Sequence, residues 1–87
     1  MKVMVLGSHL CPRTLGALRE LYKVDVPVDF RDILSCHADL KMYLKYRDSH
    51  ELYADIRNTD KIGIPLFIFE DGTVTRTLKD VFDKVGK

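Results

Sequence analysis

Three elements crowd into the first 33 residues of this chain and restrict what it can fold into. A short apolar run, Val3-Met4-Val5-Leu6, ends in Gly7 and reads as a strand covered on both faces. From about Pro12 the residues Leu15, Leu18, Leu21 and Tyr22 recur at helical spacing, with Arg13, Arg19, Glu20 and Lys23 filling much of the rest. Val24 to Ile33 then alternates apolar and polar side chains, the pattern of a half-covered strand. Pro27 belongs at its beginning or on an outer edge, because it has no N–H for a ladder. Strand, helix, strand over so short a span is a βαβ unit, whose strands run parallel and whose crossover is right-handed. Gly16 costs its helix about 1 kcal/mol against Ala, which predicts close packing of that turn on the sheet.

In a parallel pair both strands end on the same edge of the sheet. Cys11 follows the first of these ends and Cys36 the second; with neighbouring strands about 4.8 Å apart, contact between the thiols is allowed but not required. Pro12 suits the first helical position, so Cys11 falls at the N-cap, where unpaired N–H groups and the positive end of the helix dipole favour an anion. A thiolate is such an anion, and cysteines so placed titrate at about 3.5–7.5 instead of about 8.5.

The remainder continues in the same style. Ser35 is the expected N-cap of a second helix from His37 to about Arg47, with Leu40, Tyr43, Leu44 and Arg47 along one face. Asp48-Ser49-His50-Glu51 has the form of a capping box opening a further turn through Leu52, Tyr53 and Ile56. One broken helix or two separate ones would fit. Residues 58–63 are a loop by composition. Leu66 to Glu70 is the most apolar strand, joined by the hairpin signal Asp71-Gly72 to Thr73–Arg76. Thr77 and Asp80 cap a last helix with Leu78, Val81, Phe82 and Val85 on its buried face, and Gly86 suits its end. The tyrosines at 22, 43, 46 and 53 read as core or rim residues, and the mixed charges of 41–57 as a solvated face.

At 87 residues the chain makes one domain. A formal net charge of +1 without a basic tract argues against nucleic acid as a partner, and no apolar run nears the ~18 residues of a membrane span. The run after Lys2 is too short for a signal peptide. Two cysteines are too few for a secreted disulfide scaffold and lack paired zinc-site spacing. A cytoplasmic monomer with no metal is expected.

Two motifs, Cys11-Pro12-Arg13-Thr14 and Gly63-Ile64-Pro65-Leu66-Phe67-Ile68, in this order of elements, resemble a glutaredoxin over nearly the whole chain. The resemblance implies the thioredoxin/glutaredoxin fold, β-α-β-α-β-β-α, with a mixed sheet of order 2-1-3-4 and helices on both faces. It implies a cis Ile64–Pro65 bond at the edge carrying Cys11, with the Ile64 backbone free to pair with an extended peptide. It further implies thiol–disulfide exchange by Cys11, with glutathione as co-substrate and glutathionylated or disulfide-bonded molecules as partners. Pro12, Arg13, Ile64, Pro65, Thr77 and Asp80 are then the binding residues. Of these, the Thr77 N–H and Asp80 would meet the γ-glutamyl end, and Arg13 or Lys79 a carboxylate.

The departures narrow the chemistry. Thr14 stands where dithiol members carry their second cysteine, so the chain is similar to a monothiol variant, with the Thr14 hydroxyl able to donate to the Cys11 thiolate. Ser8 replaces a basic residue, Arg76-Thr77 replaces a Gly-Gly pair, and 37–61 is longer than usual. Other readings stay open. Cys36 could resolve Cys11 as a disulfide. His9 and Cys11 with Cys36 and His37 could hold zinc or copper. An iron–sulfur cluster, as in relatives with Cys-Gly-Phe-Ser, is disfavoured by Pro12-Arg13-Thr14. A redox-inactive module could use the cis-Pro groove to hold a peptide, and an arsenate-reductase-like thiol has only Arg13 behind it.

Overall fold

The computed structural model describes residues 1–87. Its elements are β1 (Val3–Gly7), α1 (Pro12–Lys23), β2 (Val28–Asp32), α2 (His37–Ser49), a single 3₁₀ turn (Glu51–Tyr53), β3 (Leu66–Phe69), β4 (Val74–Thr75) and α3 (Leu78–Val85). The strands form one sheet in the order β2-β1-β3-β4. β1 and β2 are parallel, β3 is antiparallel to β1, and β4 is antiparallel to β3. This is the α/β topology of the thioredoxin/glutaredoxin fold.

Alternation along the two central strands divides the core. Val3 and Val5, opposite Phe69 and Phe67, point to the face covered by α1 and α3, where they pack with Ala17, Leu18, Leu21 and Val81. Leu6 and Leu66 point to the other face, against Ile33, Tyr43, Tyr53, Ile56 and Ile64. Each such fully buried large apolar side chain contributes about 1.5–3 kcal/mol.

Several local expectations give way to tertiary packing. β2 starts at Val28 rather than Val24, because α1 ends in a turn: Val24 and Val26 both donate to the Leu21 carbonyl, and Asp25 takes φ 57°. Pro27 lies just outside the strand, as expected, and its carbonyl accepts from Val3 N–H. Cys36, not Ser35, is the N-cap of α2; the Ser35 hydroxyl instead donates to Asp32. α2 runs on to Ser49, and His50 caps the 3₁₀ turn by accepting from Leu52 N–H through Nδ1. Leu15, Tyr22 and Leu44 are exposed, and Thr14 and Ala17 take the buried positions on α1. Gly16 faces open space; close packing of α1 on β1 is permitted by Gly7 instead, where a Cβ would lie 2.5 Å from Thr14 Cγ2.

The long connection from α2 to β3 is held from inside. Tyr43 donates to the Ile62 carbonyl and Tyr53 to the Gly63 carbonyl at 2.9 Å. Burial pushes both phenols up, so they stay protonated donors. Arg47 donates to the carbonyls of Thr59 and Lys61, and Arg57 to those of Arg47 and His50. These two arginines are thus structural, where the sequence suggested a solvated face. Gly63, at φ 80°, has no room for a side chain: a Cβ would sit 2.4 Å from Ile56 Cδ1.

Candidate active site at the α1 N-terminus

Leu6 pairs with Leu66 at the end of β1, which brings the segment before β3 beside the turn that leads to Cys11. The Ile64–Pro65 bond is cis, as the resemblance implies. The N–H and C=O of Ile64 enter no hydrogen bond within the protein.

The turn at 8–11 is built by Ser8, which is buried. Its carbonyl accepts from Cys11 N–H at 3.1 Å and its hydroxyl from Leu10 N–H at 3.0 Å. Its own N–H donates to the Thr14 hydroxyl, which has no solvent exposure. Where the resemblance implies a long basic residue, the chain has one that closes a turn. Cys11 is the N-cap of α1 and is half-buried. Burial pushes its thiol up, but the Thr14 hydroxyl, the N–H groups of Thr14 and Arg13 and the Arg13 charge outweigh it and hold the thiol below its ordinary value.

Cys11, Pro12, Arg13 and Ile64 line one cleft of about 810 Å³, together with Leu10, Leu34, Lys61, Ile62 and Arg76. A smaller cleft of about 260 Å³ adjoins it through Arg13, Asp55, Gly63, Ile64 and Arg76, and contains Pro65, Thr77 and Asp80. Every expected binding residue therefore borders one of two connected clefts. Lys79 lines neither, which leaves Arg13 as the candidate for a carboxylate. Cys36 lies outside both and is exposed.

One expectation needs correction. The Thr77 N–H is not free: it donates to the Thr75 hydroxyl at 3.2 Å. That hydroxyl donates to Asp80 at 2.9 Å, and Asp80 N–H returns to the Thr77 hydroxyl at 3.4 Å. The ring closes the α3 cap through Thr75 and uses the donor that was to meet a ligand. Hydrogen bonds from the Thr77 and Thr75 hydroxyls hold the Asp80 carboxyl below the usual carboxylate range. The four residues weighed as an alternative zinc or copper site do not converge: His9 Nδ1 pairs with Asp32, and no three His, Cys, Asp or Glu side chains are placed to hold an ion.

Arg76 is a site residue that its sequence position does not announce. It donates to the Leu52 carbonyl at 3.0 Å and to Asp55 at 2.9 Å, and its guanidinium lies 4.9 Å from the Tyr53 ring centroid. Only the fold brings residues 52–55 against 76, so no local signal could have found it.

No family model matches the chain, and no solved structure matches it. It is similar to an uncharacterized protein of Haemophilus influenzae, 26% identical over 77 residues, which span 88% of this chain and 90% of that one. No helix is long and apolar enough to cross a membrane.

Proposed function

We propose that this protein is a glutaredoxin-like thiol–disulfide oxidoreductase working through Cys11, with glutathione as co-substrate. The observation that carries the reading is the placement of a thiol held below its ordinary value in one cleft with the open backbone of Ile64. The Cys11 thiolate attacks the glutathione sulfur of a mixed disulfide, forms a Cys11–glutathione disulfide and expels the substrate thiolate. A second glutathione thiolate then attacks the bound glutathione sulfur, which regenerates Cys11 and leaves oxidised glutathione. Asp80, ionised in the adjoining cleft, suits the γ-glutamyl ammonium, and Arg13 a carboxylate. With the Thr77 N–H occupied, that end relies on Asp80.

The test is turnover of a small glutathione mixed disulfide, with mass spectrometry of the protein after exposure to oxidised glutathione. A single glutathione adduct on Cys11 and loss of turnover in Cys11→Ser are expected. No adduct and no turnover by the wild type would move the assignment to a redox-inactive module that holds a peptide, the reading favoured by the closed Thr75–Thr77–Asp80 ring.

A further inference from the structure

The two clefts differ in character. Of the seven large apolar side chains that the protein leaves exposed, Leu10, Leu34 and Ile62 stand on the rim of the Cys11 cleft, at 70%, 55% and 62% exposure. They come from three separate connections, those after β1, after β2 and before β3, so the fold rather than a local run gathers them. Solvated apolar groups brought together around a reactive side chain mark a recognition surface. The charge on this rim is one-sided. Arg13 and Lys61 have no ion-pair partner, while Asp55, the acid of the cleft, is engaged by Arg76. At about 810 Å³ the cleft is also far larger than its 260 Å³ neighbour, which holds the groups suited to glutathione.

We propose that this rim docks the protein half of a mixed disulfide, and that it selects a chain segment with apolar side chains beside its cysteine and an acidic side chain within reach of Lys61. This rests on the redox reading of Cys11. In the step concerned, Cys11 bonds to the glutathione sulfur in the smaller cleft's direction. The protein–glutathione S–S bond breaks with its electron pair on the protein sulfur, and that thiolate takes a proton from water as the segment leaves the rim. Apolar contact supplies the affinity, and the unpaired Lys61 rejects a basic segment.

The test compares two glutathionylated peptides of equal length, one with Leu on both sides of its cysteine and a nearby Glu, the other with Ser and Lys in those places. The wild type should prefer the first by about tenfold in kcat/KM, the discrimination expected of a few buried methylenes. Leu34→Ser/Ile62→Ser should bring that ratio close to one. Lys61→Glu should reduce the preference about threefold at low salt, with the effect fading at high salt. Equal turnover of both peptides by the wild type, or an unchanged ratio in the double variant, overturns the proposal. If no glutathione disulfide is turned over, the redox reading fails by itself. Fluorescence anisotropy with the same peptides, Ser replacing Cys, then decides the surface: tighter binding of the apolar, acidic peptide keeps it, and equal binding removes it. A dimer in sedimentation that Leu34→Ser/Ile62→Ser dissolves would make the rim a self-interface and would also overturn the proposal.

Discussion

The two helix starts on this sheet edge are a controlled comparison. Cys11 and Cys36 are both N-caps in extended backbone, at the starts of α1 and α2, and neither side chain closes a cap hydrogen bond. A rule based on helix position alone treats them alike. They differ in the third residue of the helix and in what stands opposite. Behind Cys11 is Thr14, a buried hydroxyl held by Ser8 N–H. Three residues after Cys36 is Asp39, a buried acid paired with Arg31 at 3.3 Å, with no hydroxyl to offer a thiolate. Cys11 shares a cleft with Gly63 and Ile64, whereas Cys36 is exposed and borders neither cleft. A helix N-terminus is therefore a permissive feature, and the second layer of groups makes it a site.

The most severe challenge to this comparison is a pair of deletions. On a glutathione mixed disulfide, Cys11→Ser should lose at least about a thousandfold in kcat/KM, the scale of removing a nucleophile, while Cys36→Ser stays within about twofold. A comparable loss in Cys36→Ser, with a Cys11–Cys36 bridge in peptide maps of the oxidised protein, would erase the distinction. A graft sharpens it. Asp39→Thr in the Cys11→Ser background gives α2 the same Cys-x-x-Thr start, and it should remain inactive because Cys36 borders neither cleft.

Next in size is Thr14→Val, which keeps the shape and removes the hydroxyl. Alkylation of Cys11 at neutral pH should slow by up to about tenfold, and stability should fall by about 1–3 kcal/mol because Ser8 N–H loses its partner. Thr14→Ser should recover most of the alkylation rate; equal slowing in both variants would mean that the hydroxyl does not act on the thiolate. Gly7→Ala perturbs the same hydroxyl from the strand side. Its Cβ would press on Thr14 at 2.5 Å, and the overpacking should cost about 1–3 kcal/mol in a denaturant titration. Ala at Gly16, with nothing within 4 Å, should cost nothing there.

The smallest effect is on stability against pH. The Cys11 thiol lies lower in the folded than in the unfolded chain, so the folded protein binds fewer protons as pH rises between the two values. The thiolate's contribution is fully present above the unfolded value and is lost as pH falls through the folded one. The wild type should thus gain stability relative to Cys11→Ser across that window, in chemical denaturation at a series of pH values. Parallel stability curves would show that the groups around Cys11 leave its thiol unshifted.

Periodicity and capping residues make the order of elements, the βαβ unit, the hairpin and the position of Cys11 legible, because they are set within a few residues of chain. The same local rules misplace what neighbours decide. Ser35 has the chemistry of a cap but spends its hydroxyl on Asp32, and Thr77 spends its N–H on Thr75. Arg47 and Arg57 have the sequence character of solvent-facing charges, yet they pair with carbonyls of the 37–61 region that only folding brings near.

By itself, then, the sequence determined that a cysteine would sit where a parallel strand hands over to a helix, because strand alternation, helical spacing and Pro12 are short-range constraints. Tertiary structure alone decided that Cys11 borders a cleft and Cys36 does not, and that the hydroxyl beside Cys11 is held buried by Ser8. Those partners come from residues 14, 33–34, 61–64 and 76, and most of them are near Cys11 only because β1 is paired with both β2 and β3.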